Sequence, residues 1–412
     1  MRAITFRIST PRWFLCRGLG RFTKSAYWGR LSTLRLADIP PQPLPGPGWV
    51  RLRPLLGGIC GTDLSHILLQ NPPDVFTKGL AIEPMVLGHE NVSVVVERGP
   101  GAEDVPEGGR FIADPAMTCA ARGFDPCPSC REGQSDTCWH LDSDRPRLGL
   151  SLGHSAAVGG TWSDTFVAHK SQLVPAPAGM TDEQAVLADP LACSIHTVLR
   201  RPPGPGDQGV LVIGCGIIGL GIIDFLRASG FKGRIIATAA HKFQKTLALH
   251  FGASDVWDRG DLAGHGLIER VADLYHLKTV RGAYGKPIIL GGLDLIYDAI
   301  GSRNSVEDST RIVRPQGTVV IAGMGHPRWV DWDPIIHKQI TILGSHGRGI
   351  ERWKGGRVHT YHIVFELMAA GRFPAAKLLT HTFRLEDYRA ALDVLTHKGR
   401  HAAVHGAFRV ST

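Results

Sequence analysis

The sequence lacks an apolar run long enough to cross a lipid bilayer. A spanning helix needs roughly 20 apolar residues, whereas the richest stretch here, GVLVIGCGIIGLGIIDFL, is punctuated by glycine and contains Asp224 near its end. The sequence also lacks a secretory signal ahead of its eight cysteines. We therefore predict no membrane partner, reduced thiols and a cytoplasmic location.

Carboxylates are missing from the first 37 residues. Eight basic residues precede the first acid, Asp38, and they account for nearly all of the formal net charge of +9. The rest of the chain is close to neutral, which argues against a nucleic-acid-binding face across the folded body. These basic residues are Arg2, Arg7, Arg12, Arg17, Arg21, Lys24, Arg30 and Arg35.

Two interpretations of this basic arm compete. Segments rich in arginine and poor in acids occur as organelle transit peptides. Alternatively, MRAITFRI alternates apolar and polar residues with the period of a strand and begins a strand pair. We favour the strand pair, because an amphipathic targeting helix would avoid Pro11 and the glycines at 18 and 20.

The pattern of residues along the chain indicates two kinds of structure. A length of 412 residues, with 43% hydrophobic and 20% charged residues, suits a globular protein of two or three domains. Residues 41–175 are rich in glycine, proline and short β-branched runs, which is typical of a barrel-like β domain. From about residue 181, a capped helix that Pro190 should kink or split leads into alternating strands and helices. This alternation predicts an α/β domain with a parallel, doubly wound sheet.

The motif GCGIIG predicts a dinucleotide-binding turn. Gly214, Gly216 and Gly219 have the required spacing, follow a buried apolar strand and open a helix. Gly214 allows the tight turn, Gly216 the approach of a pyrophosphate, and Gly219 close packing of the helix on the strand. Ile217 and Ile218, at the start of that helix, complete the predicted cofactor contacts. A glycine-rich structural turn is the competing interpretation.

The end of the next strand lacks the acid that an NAD site normally carries there. Thr238 and the two following alanines supply no carboxylate, whereas His241, Lys242 and Lys245 could meet a 2'-phosphate. We therefore expect NAD(P) as the cofactor, with a preference for NADP. The alternative is that these basic residues only form the solvated start of a helix.

Four of the eight cysteines fall within twenty residues, in CAARGFDPCPSCREGQSDTC. Cys119, Cys127, Cys130 and Cys138 are separated by seven, two and seven residues, with glycine and proline between them. Four thiolates suit tetrahedral zinc and leave no open coordination position, so such a site would be structural. Disulfides and ordinary packing are weaker explanations in a reducing compartment.

A second candidate metal set is dispersed along the chain. It comprises Cys60 in GGICGTD, His89 and Glu90 in LGHEN, and Asp189 in LADPLA. Cysteine, histidine and one carboxylate leave the fourth position of a zinc ion for water or substrate. Each residue alone is more often an interior or solvated side chain than a ligand.

Taken in order, GGICGTD, GHE, the four-cysteine lobe, DPLA and VLVIGCGIIGLG resemble the zinc-dependent medium-chain dehydrogenase/reductase family, especially its polyol and threonine dehydrogenase branch. The resemblance covers residues 41 to about 410. It implies a GroES-like catalytic domain over 1–185, with a structural zinc lobe at about 114–142. A Rossmann domain would follow over 186–344, and residues 345–412 would return to the catalytic domain. It also implies a homodimer or homotetramer.

The resemblance assigns a role to each matching residue. Cys60, His89 and Asp189 match the catalytic zinc ligands, Glu90 matches a neighbour that can ligate the metal transiently, and Thr62 matches the hydroxyl that passes the alcohol proton outward. Two zinc ions per chain are therefore expected. The resemblance implies oxidation of a secondary alcohol, a polyol or a similar alcohol to its carbonyl, with hydride transfer to NAD(P).

The sequence departs from this family pattern at three points. Position 189 is Asp where the branch usually has Glu, and the first gap in the cysteine lobe is longer than usual. Ser65 occupies the usual place of the relay histidine, and His66 follows it. We include His66 among the catalytic residues and Arg348, in GSHGRG, among the cofactor contacts, although Arg348 could equally lie on the surface.

Two other functions compete with a dehydrogenase. One is a non-catalytic relative that keeps the structural zinc and binds nucleotide, and Asp189 and the shifted histidine favour it. A scaffold, however, has no need of Cys60, Thr62, His89 and Glu90 together. The other is a zinc-free quinone or enoyl reductase, whose members generally lack both metal sets.

Overall fold

The structure is a computed structural model that describes residues 1–7, 9–71, 75, 79–142, 147–262 and 266–410. The chain forms two compact units, each built from separate stretches. The catalytic unit, as we call it, comprises Met1–Pro190, Arg348–Ile350 and Pro374–Thr412. The nucleotide unit comprises Leu191–Gly347 and Glu351–Phe373.

Two sheets form the frame of the catalytic unit. Its strands are β1 (Arg2–Phe6), β2 (Arg35–Asp38), β3 (Trp49–Gly58), β4 (Met85–Val86), β5 (Asn91–Arg98), β6 (Arg110–Ala113), β7 (Phe166–His169), β8 (Leu173–Pro175), β19 (Leu379–Arg384) and β20 (His405–Arg409). The larger sheet has the order β19-β20-β3-β5-β6-β8, and β7 also pairs with β3. The C-terminal strand β20 is antiparallel to β3, so the tail of the chain closes the sheet that the first half begins.

Short helices connect these strands. They are α1 (Thr10–Leu19), α2 (Gly61–Ile67), α3 (Cys119–Arg122), α4 (Pro128–Arg131), α5 (Asp182–Val186), α13 (Ala375–Leu378), α14 (Tyr388–Thr396) and α15 (Lys398–His401). One core cluster joins β1, α2, β20 and α14 through buried side chains such as Ile4, Ile67, Leu392 and Phe408. Burial of these apolar surfaces stabilises the position of the N-terminal arm on the unit.

The basic arm contains both a strand pair and a helix. β1 pairs antiparallel with β2, with Ala3 opposite Ala37, as the alternation in MRAITFRI predicts. Between the two strands lies α1, with Pro11 in its first turn. The argument that Pro11 and the glycines exclude a helix was therefore wrong. Proline is tolerated in the first turn because the N–H it lacks would have no partner within the helix.

The nucleotide unit contains a six-stranded, fully parallel sheet. Its strands are β9 (Gly209–Ile213), β10 (Arg234–Ala239), β11 (Asp255–Asp258), β14 (Leu293–Asp298), β15 (Val313–Ile321) and β16 (Thr341–Gly344). The order β11-β10-β9-β14-β15-β16 changes direction between β9 and β14. Nucleotides bind at such a change of direction, outside the carboxyl ends of the strands. The predicted fold class, a β-rich unit with a doubly wound parallel sheet, is confirmed.

Helices and small hairpins complete this unit. The helices are α7 (Ile217–Ala228), α8 (Lys242–His250), α9 (Gly266–Leu274), α10 (Arg303–Ile312), α11 (Asp333–His337) and α12 (Thr360–Ala369), and the hairpin strands are β12 (Thr279–Val280), β13 (Ile288–Ile289), β17 (Ile350–Trp353) and β18 (Gly356–His359). Helix α12 lies in the segment 351–373, which packs with the nucleotide unit, whereas the sequence analysis assigns everything after residue 344 to the catalytic domain. The buried Asp224 carboxylate accepts a hydrogen bond from Phe373 N–H and anchors the end of this segment.

Helix α6 (Ala188–Arg200) follows α5 after a break at Leu187. The sequence analysis expected Pro190 to kink or split this stretch. The split occurs three residues earlier, so that Pro190 falls in the first turn of α6, where proline is tolerated. No helix among the described residues is long and apolar enough to span a membrane.

Candidate active site and metal centres

Cys60 lies at the turn between strand β3 and helix α2. It is the N-cap residue of α2, and its backbone N–H donates to the Asp63 carboxylate at 3.2 Å. Gly58, two residues earlier, is required by a close approach, because a Cβ atom there would lie 2.0 Å from Oε2 of Glu90. The motif GGICGTD therefore holds the thiol and makes room for a carboxylate beside it.

His89 and Glu90 lie immediately before strand β5. One ligand atom from each of Cys60, His89 and Glu90 lies within 4.8 Å of the others. His89 and Glu90 are buried, and Cys60 is half-buried. Sulfur, imidazole nitrogen and carboxylate oxygen form a donor set that suits zinc.

Asp63 is the buried partner of His89. Its Oδ2 lies 3.7 Å from Nδ1 of His89, and its Oδ1 accepts from the N–H of Gly88. Burial lowers the pKa of His89, but the charges of Asp63 and Cys60 outweigh it and raise this pKa well above its usual value. A carboxylate facing Nδ1 orients the ring so that the other nitrogen is available as a ligand.

Glu90 is held on its other side by the C-terminal strand. His405 Nε2 lies 2.7 Å from Oε2 of Glu90, and both side chains are buried. The second oxygen, Oε1, is buried and has no hydrogen-bond partner among the described residues. A buried carboxylate oxygen without a partner is costly unless a cation or water satisfies it, so the residues present fit a bound metal.

Thr62 and two histidines lie beside this cluster. The hydroxyl of Thr62 is 3.7 Å from Sγ of Cys60, and its carbonyl oxygen is 2.9 Å from Nδ1 of His66. The rings of His66 and His154 are 5.0 Å apart, and Ser151 Oγ lies 3.0 Å from Nδ1 of His154. Burial and the two neighbouring histidines lower the pKa of His154 to about 3, so this ring is neutral at physiological pH.

Asp189, in the first turn of α6, is engaged by Arg348. Its Oδ1 lies 3.1 Å from Nε of Arg348, whose Nη1 is 3.0 Å from Asp114 and 3.8 Å from Asp136. All four side chains are largely buried. Asp189 is not among the residues whose ligand atoms meet with Cys60, His89 and Glu90. In this arrangement Arg348, predicted as a cofactor contact, balances the charge of three carboxylates instead of facing solvent.

The four clustered cysteines converge on one point. Their sulfur atoms all lie within 4.8 Å of one another, and each of the eight cysteines is a free thiol. Cys119 begins α3, Cys127 is the N-cap of α4, and Cys130 lies within α4. Two short helices thus set three of the sulfur positions, and Cys138 supplies the fourth.

Backbone groups around this lobe favour thiolates. The N–H of Trp139 lies 3.5 Å from Sγ of Cys127, and the N–H of Cys127 lies 3.3 Å from Sγ of Cys119. Burial raises the pKa of Cys127, but hydrogen bonds to its sulfur, first those from the backbone N–H groups of Trp139 and Cys130, outweigh burial and lower the pKa to about 6. Burial raises the pKa of Cys138 to about 11. Four converging sulfurs with N–H donors fit a tetrahedral zinc ion, which binds thiolates.

The glycine turn of the nucleotide unit has the geometry that the motif predicts. Gly214 has φ of 97°, a conformation that favours glycine. At Gly219 a Cβ atom would lie 1.7 Å from the carbonyl oxygen of Gly214, so only glycine permits this helix to approach the turn. At Gly216, the N-cap of α7, a Cβ atom would meet nothing within 4 Å. Ile217 and Ile218 begin that helix, which leaves backbone N–H groups free at its start for a phosphate.

The end of β10 carries no carboxylate. Thr238 accepts a hydrogen bond from the N–H of Gly214 at 3.1 Å and so ties the two loops together. His241 is the N-cap of α8, and Lys242 and Lys245 lie in the first turns of that helix. No Asp or Glu occurs between Asp224 and Asp255. The structure places these three basic residues at the start of one helix.

Several residues of these sites are assigned no role by the motifs in the sequence. Asp63 stands three residues after Cys60, and its position as an N3 acid after an N-cap could have indicated its role. His405, His154 and Asp114 have no local signal, because each reaches the site only through the folding of a distant segment.

Two family profiles match this chain. Residues 46–178 match the alcohol dehydrogenase GroES-like domain, and residues 218–359 match the zinc-binding dehydrogenase domain. The chain belongs to the zinc-dependent medium-chain dehydrogenase/reductase family. The predicted family and the GroES-like assignment are confirmed, and the basic arm lies outside both matches.

Curated relatives and solved structures agree with this membership. The chain is 25% identical to D-arabinitol dehydrogenase 1 of Uromyces fabae over 85% of this chain and 87% of that protein. It is 27% identical to L-threonine 3-dehydrogenase of Pyrococcus horikoshii over 86% and 89%. Alcohol dehydrogenase TADH from Thermus sp. ATN1 has the same fold, with a TM-score of 0.70, 20% identity and complete coverage of both chains. The curated relatives are named dehydrogenases, so the protein is an alcohol dehydrogenase that uses a nicotinamide cofactor, and none of these findings favours a non-catalytic relative.

Proposed function

We propose that the protein oxidises a secondary alcohol, polyol or hydroxy amino acid reversibly to its carbonyl at the site formed by Cys60, His89 and Glu90. The observation that carries this proposal is the convergence of these three ligand types within 4.8 Å, with the Thr62 hydroxyl beside them. The similarity to an arabinitol and a threonine dehydrogenase supports a substrate with more than one polar group.

Each residue of the site contributes a separate step. Cys60, His89 and Glu90 would hold a zinc ion, which would supply a Lewis acid for the alcohol oxygen. The Asp63 carboxylate lies 3.7 Å from Nδ1 of His89 and orients the ring by its charge. The hydroxyl of Thr62 takes up the alcohol proton and passes it towards His66, since Ser65 occupies the usual relay position. A nicotinamide cofactor, held at the glycine turn of Gly214, Gly216 and Gly219, would supply the hydride acceptor.

We propose that Asp189 acts through Arg348 rather than as a permanent ligand. Its short contact with Arg348 satisfies one carboxylate oxygen and leaves a role in positioning substrate or water. The predicted alternative, direct zinc ligation by Asp189, requires this ion pair to open. Metal content of Asp189→Asn distinguishes the two, because only direct ligation predicts loss of zinc.

The first experiment is elemental analysis of zinc on folded protein. We expect about two zinc ions per chain, one at each site, and about one in Cys60→Ala. Cys16→Ala is the matched control, because Cys16 is buried but belongs to neither cluster. A wild type with one zinc ion that Cys60→Ala does not change would overturn the catalytic site and favour a nucleotide-binding scaffold.

We propose a preference for NADP over NAD. Support comes from the lack of a carboxylate at the end of β10 and from His241, Lys242 and Lys245 at the start of α8. Ala240 is exposed at that point and accepts an acid without a packing change. Ala240→Asp should move the ratio of kcat/KM for the two cofactors about tenfold towards NAD. Equal kcat/KM values for NAD and NADP in the wild type contradict the preference.

We also propose a homodimer or homotetramer in a reducing compartment such as the cytoplasm. The first statement follows from the family, and sedimentation equilibrium tests it. The proposal of a reducing compartment follows from the eight free thiols, four of which converge as candidate metal ligands. A disulfide-linked species in protein isolated under thiol-blocking conditions contradicts it.

A further inference from the structure

The outer face of helix α1 is apolar and exposed. Among the described residues, seventeen large apolar side chains are exposed, and five of these fall between residues 14 and 31. Phe14 and Phe22 are 66% and 89% exposed. We call these five residues the α1 patch: Phe14, Leu15, Leu19, Phe22 and Leu31. Such a concentration of apolar side chains marks a surface that binds something.

The spacing of these residues places most of them on one side of the helix. Phe14, Leu15 and Leu19 follow the i, i+1, i+5 pattern of one helical face, and Phe22 continues it beyond the last residue of α1. Trp13 lies on the opposite face and is partly buried, and Cys16, between the two faces, is buried. The helix therefore carries apolar side chains on both sides, and those of Phe14, Leu15 and Leu19 are directed outward.

The body of the protein holds the helix in this orientation. Arg17 donates to the carbonyl oxygen of Leu69 at 2.8 Å, and Arg12 donates to that of Ser32 at 3.2 Å. Trp28, which follows a short 3-10 helix at Lys24–Tyr27, is buried in the core cluster of the catalytic unit. The outward direction of the α1 patch is thus fixed by contacts on the other face.

Exposed arginines alternate with the patch residues along this segment of the chain. Arg12, Arg17, Arg21 and Arg30 are exposed, and within the described residues no carboxylate forms an ion pair with them or with Arg7. No Asp or Glu precedes Asp38 in the sequence. Exposed apolar side chains together with exposed arginines complement the surface of a bilayer with anionic lipids. Its acyl chains accept apolar side chains, and its headgroups attract cations.

We propose that α1 docks the protein on anionic lipid membranes, with Phe14, Leu15, Leu19 and Phe22 inserted among the acyl chains. Exposed arginines whose side chains make no hydrogen bond to the described residues of the body, Arg21 and Arg30, would lie at the phosphate level. The prediction of no membrane partner rested on the lack of an apolar run long enough to cross a bilayer, which does not bear on docking at the surface of a membrane. Docking of this kind needs no membrane-spanning helix and does not depend on the proposed dehydrogenase chemistry.

The test is co-sedimentation of the full-length protein with vesicles. One set contains phosphatidylcholine alone, and the other contains roughly one third phosphatidylserine. We expect binding to the anionic vesicles only, with loss of binding as salt rises from about 0.05 to about 0.5 M. Phe14→Ser/Phe22→Ser should raise the apparent Kd for the anionic vesicles at least about tenfold, and Arg21→Gln/Arg30→Gln should raise it by a similar factor.

A matched control removes two equally exposed aromatic side chains elsewhere. Tyr284→Ser/Trp329→Ser changes residues that are 97% and 86% exposed, and it should leave vesicle binding unchanged. The unfolding temperature of each variant shows that the fold is retained. Equal binding to both vesicle types, or no binding to either, overturns the proposal. The proposal is also overturned if the wild type does not bind vesicles and Phe14→Ser/Phe22→Ser forms a smaller assembly than the wild type in sedimentation velocity. That result would assign the patch to contact with a second copy of the chain.

Discussion

The two candidate zinc sites are built in opposite ways. The four-cysteine lobe takes all its ligands from residues 119–138, and short helices set three of the sulfur positions. The dispersed site takes Cys60 from one loop and His89 and Glu90 from another, with His405 added from the last strand. A local site needs only a bent chain, whereas a dispersed site needs the completed sheet. The four-cysteine lobe can therefore stabilise the fold, and the dispersed site can respond to substrate.

Loss of the catalytic ligand should have the largest effect on activity. Cys60→Ala should lower kcat/KM at least about 10³-fold, because polarisation by a Lewis acid contributes several kcal/mol to the barrier. The unfolding temperature should change by only a few degrees. Steady-state kinetics and calorimetry measure the two quantities. If thermal stability falls as much as in a lobe variant, the contrast between the sites is wrong.

Loss of a lobe ligand should have the largest effect on stability. Cys130→Ser leaves three thiolates for zinc, and removal of a structural metal belongs to the mutations that cost more than about 4 kcal/mol. Denaturant unfolding measures this change, with Cys215→Ser as a control outside both clusters. Zinc retained at full occupancy by Cys130→Ser would show that the four sulfurs do not act as one site.

Loss of the partner of His89 should affect one site only. Asp63→Asn keeps the shape of the side chain but removes the charge that orients the ring, so zinc affinity at the dispersed site should fall about 10- to 100-fold. Competition with a chelator should show one weakened and one unchanged zinc ion per chain. Two unchanged affinities would assign Asp63 to capping of α2 alone.

The smallest effect is expected beside the lobe. His140 Nδ1 lies 3.3 Å from Sγ of Cys119, and the His140 ring stacks on the partly exposed Phe124. His140→Ala should lower the unfolding free energy by only about 1 kcal/mol, because it removes one hydrogen bond and leaves the ligands intact. Full zinc content with a small stability loss is the expected result, and loss of zinc would make His140 a ligand.

The sequence predicted the local features well. The glycine turn, the alternation in MRAITFRI, the succession of strands and helices after residue 181 and the cysteine spacing each depend on neighbours in the chain, and the structure forms all of them. The helix in the arm was missed because Pro11 was treated as a helix breaker although it falls in the first turn. The break near Pro190 was placed three residues late for the same reason.

The partners of the site could not be predicted, because they come together through long-range strand pairing. His405 reaches Glu90 because β20 pairs with β3, and Arg348 reaches Asp189 from a loop that follows β16. Whether Asp189 faces a metal or an arginine depends on side-chain directions that no spacing encodes.

The sequence alone determined the family, the fold class and which residue types could hold zinc and nucleotide, because these follow from short motifs and their order. Only the tertiary structure brought Asp63, His405 and Arg348 to the catalytic residues and turned the apolar face of α1 outward. The reason is physical: periodicity and motif spacing act over a few residues, whereas ion pairs, buried carboxylates and exposed faces depend on which distant segments pack together.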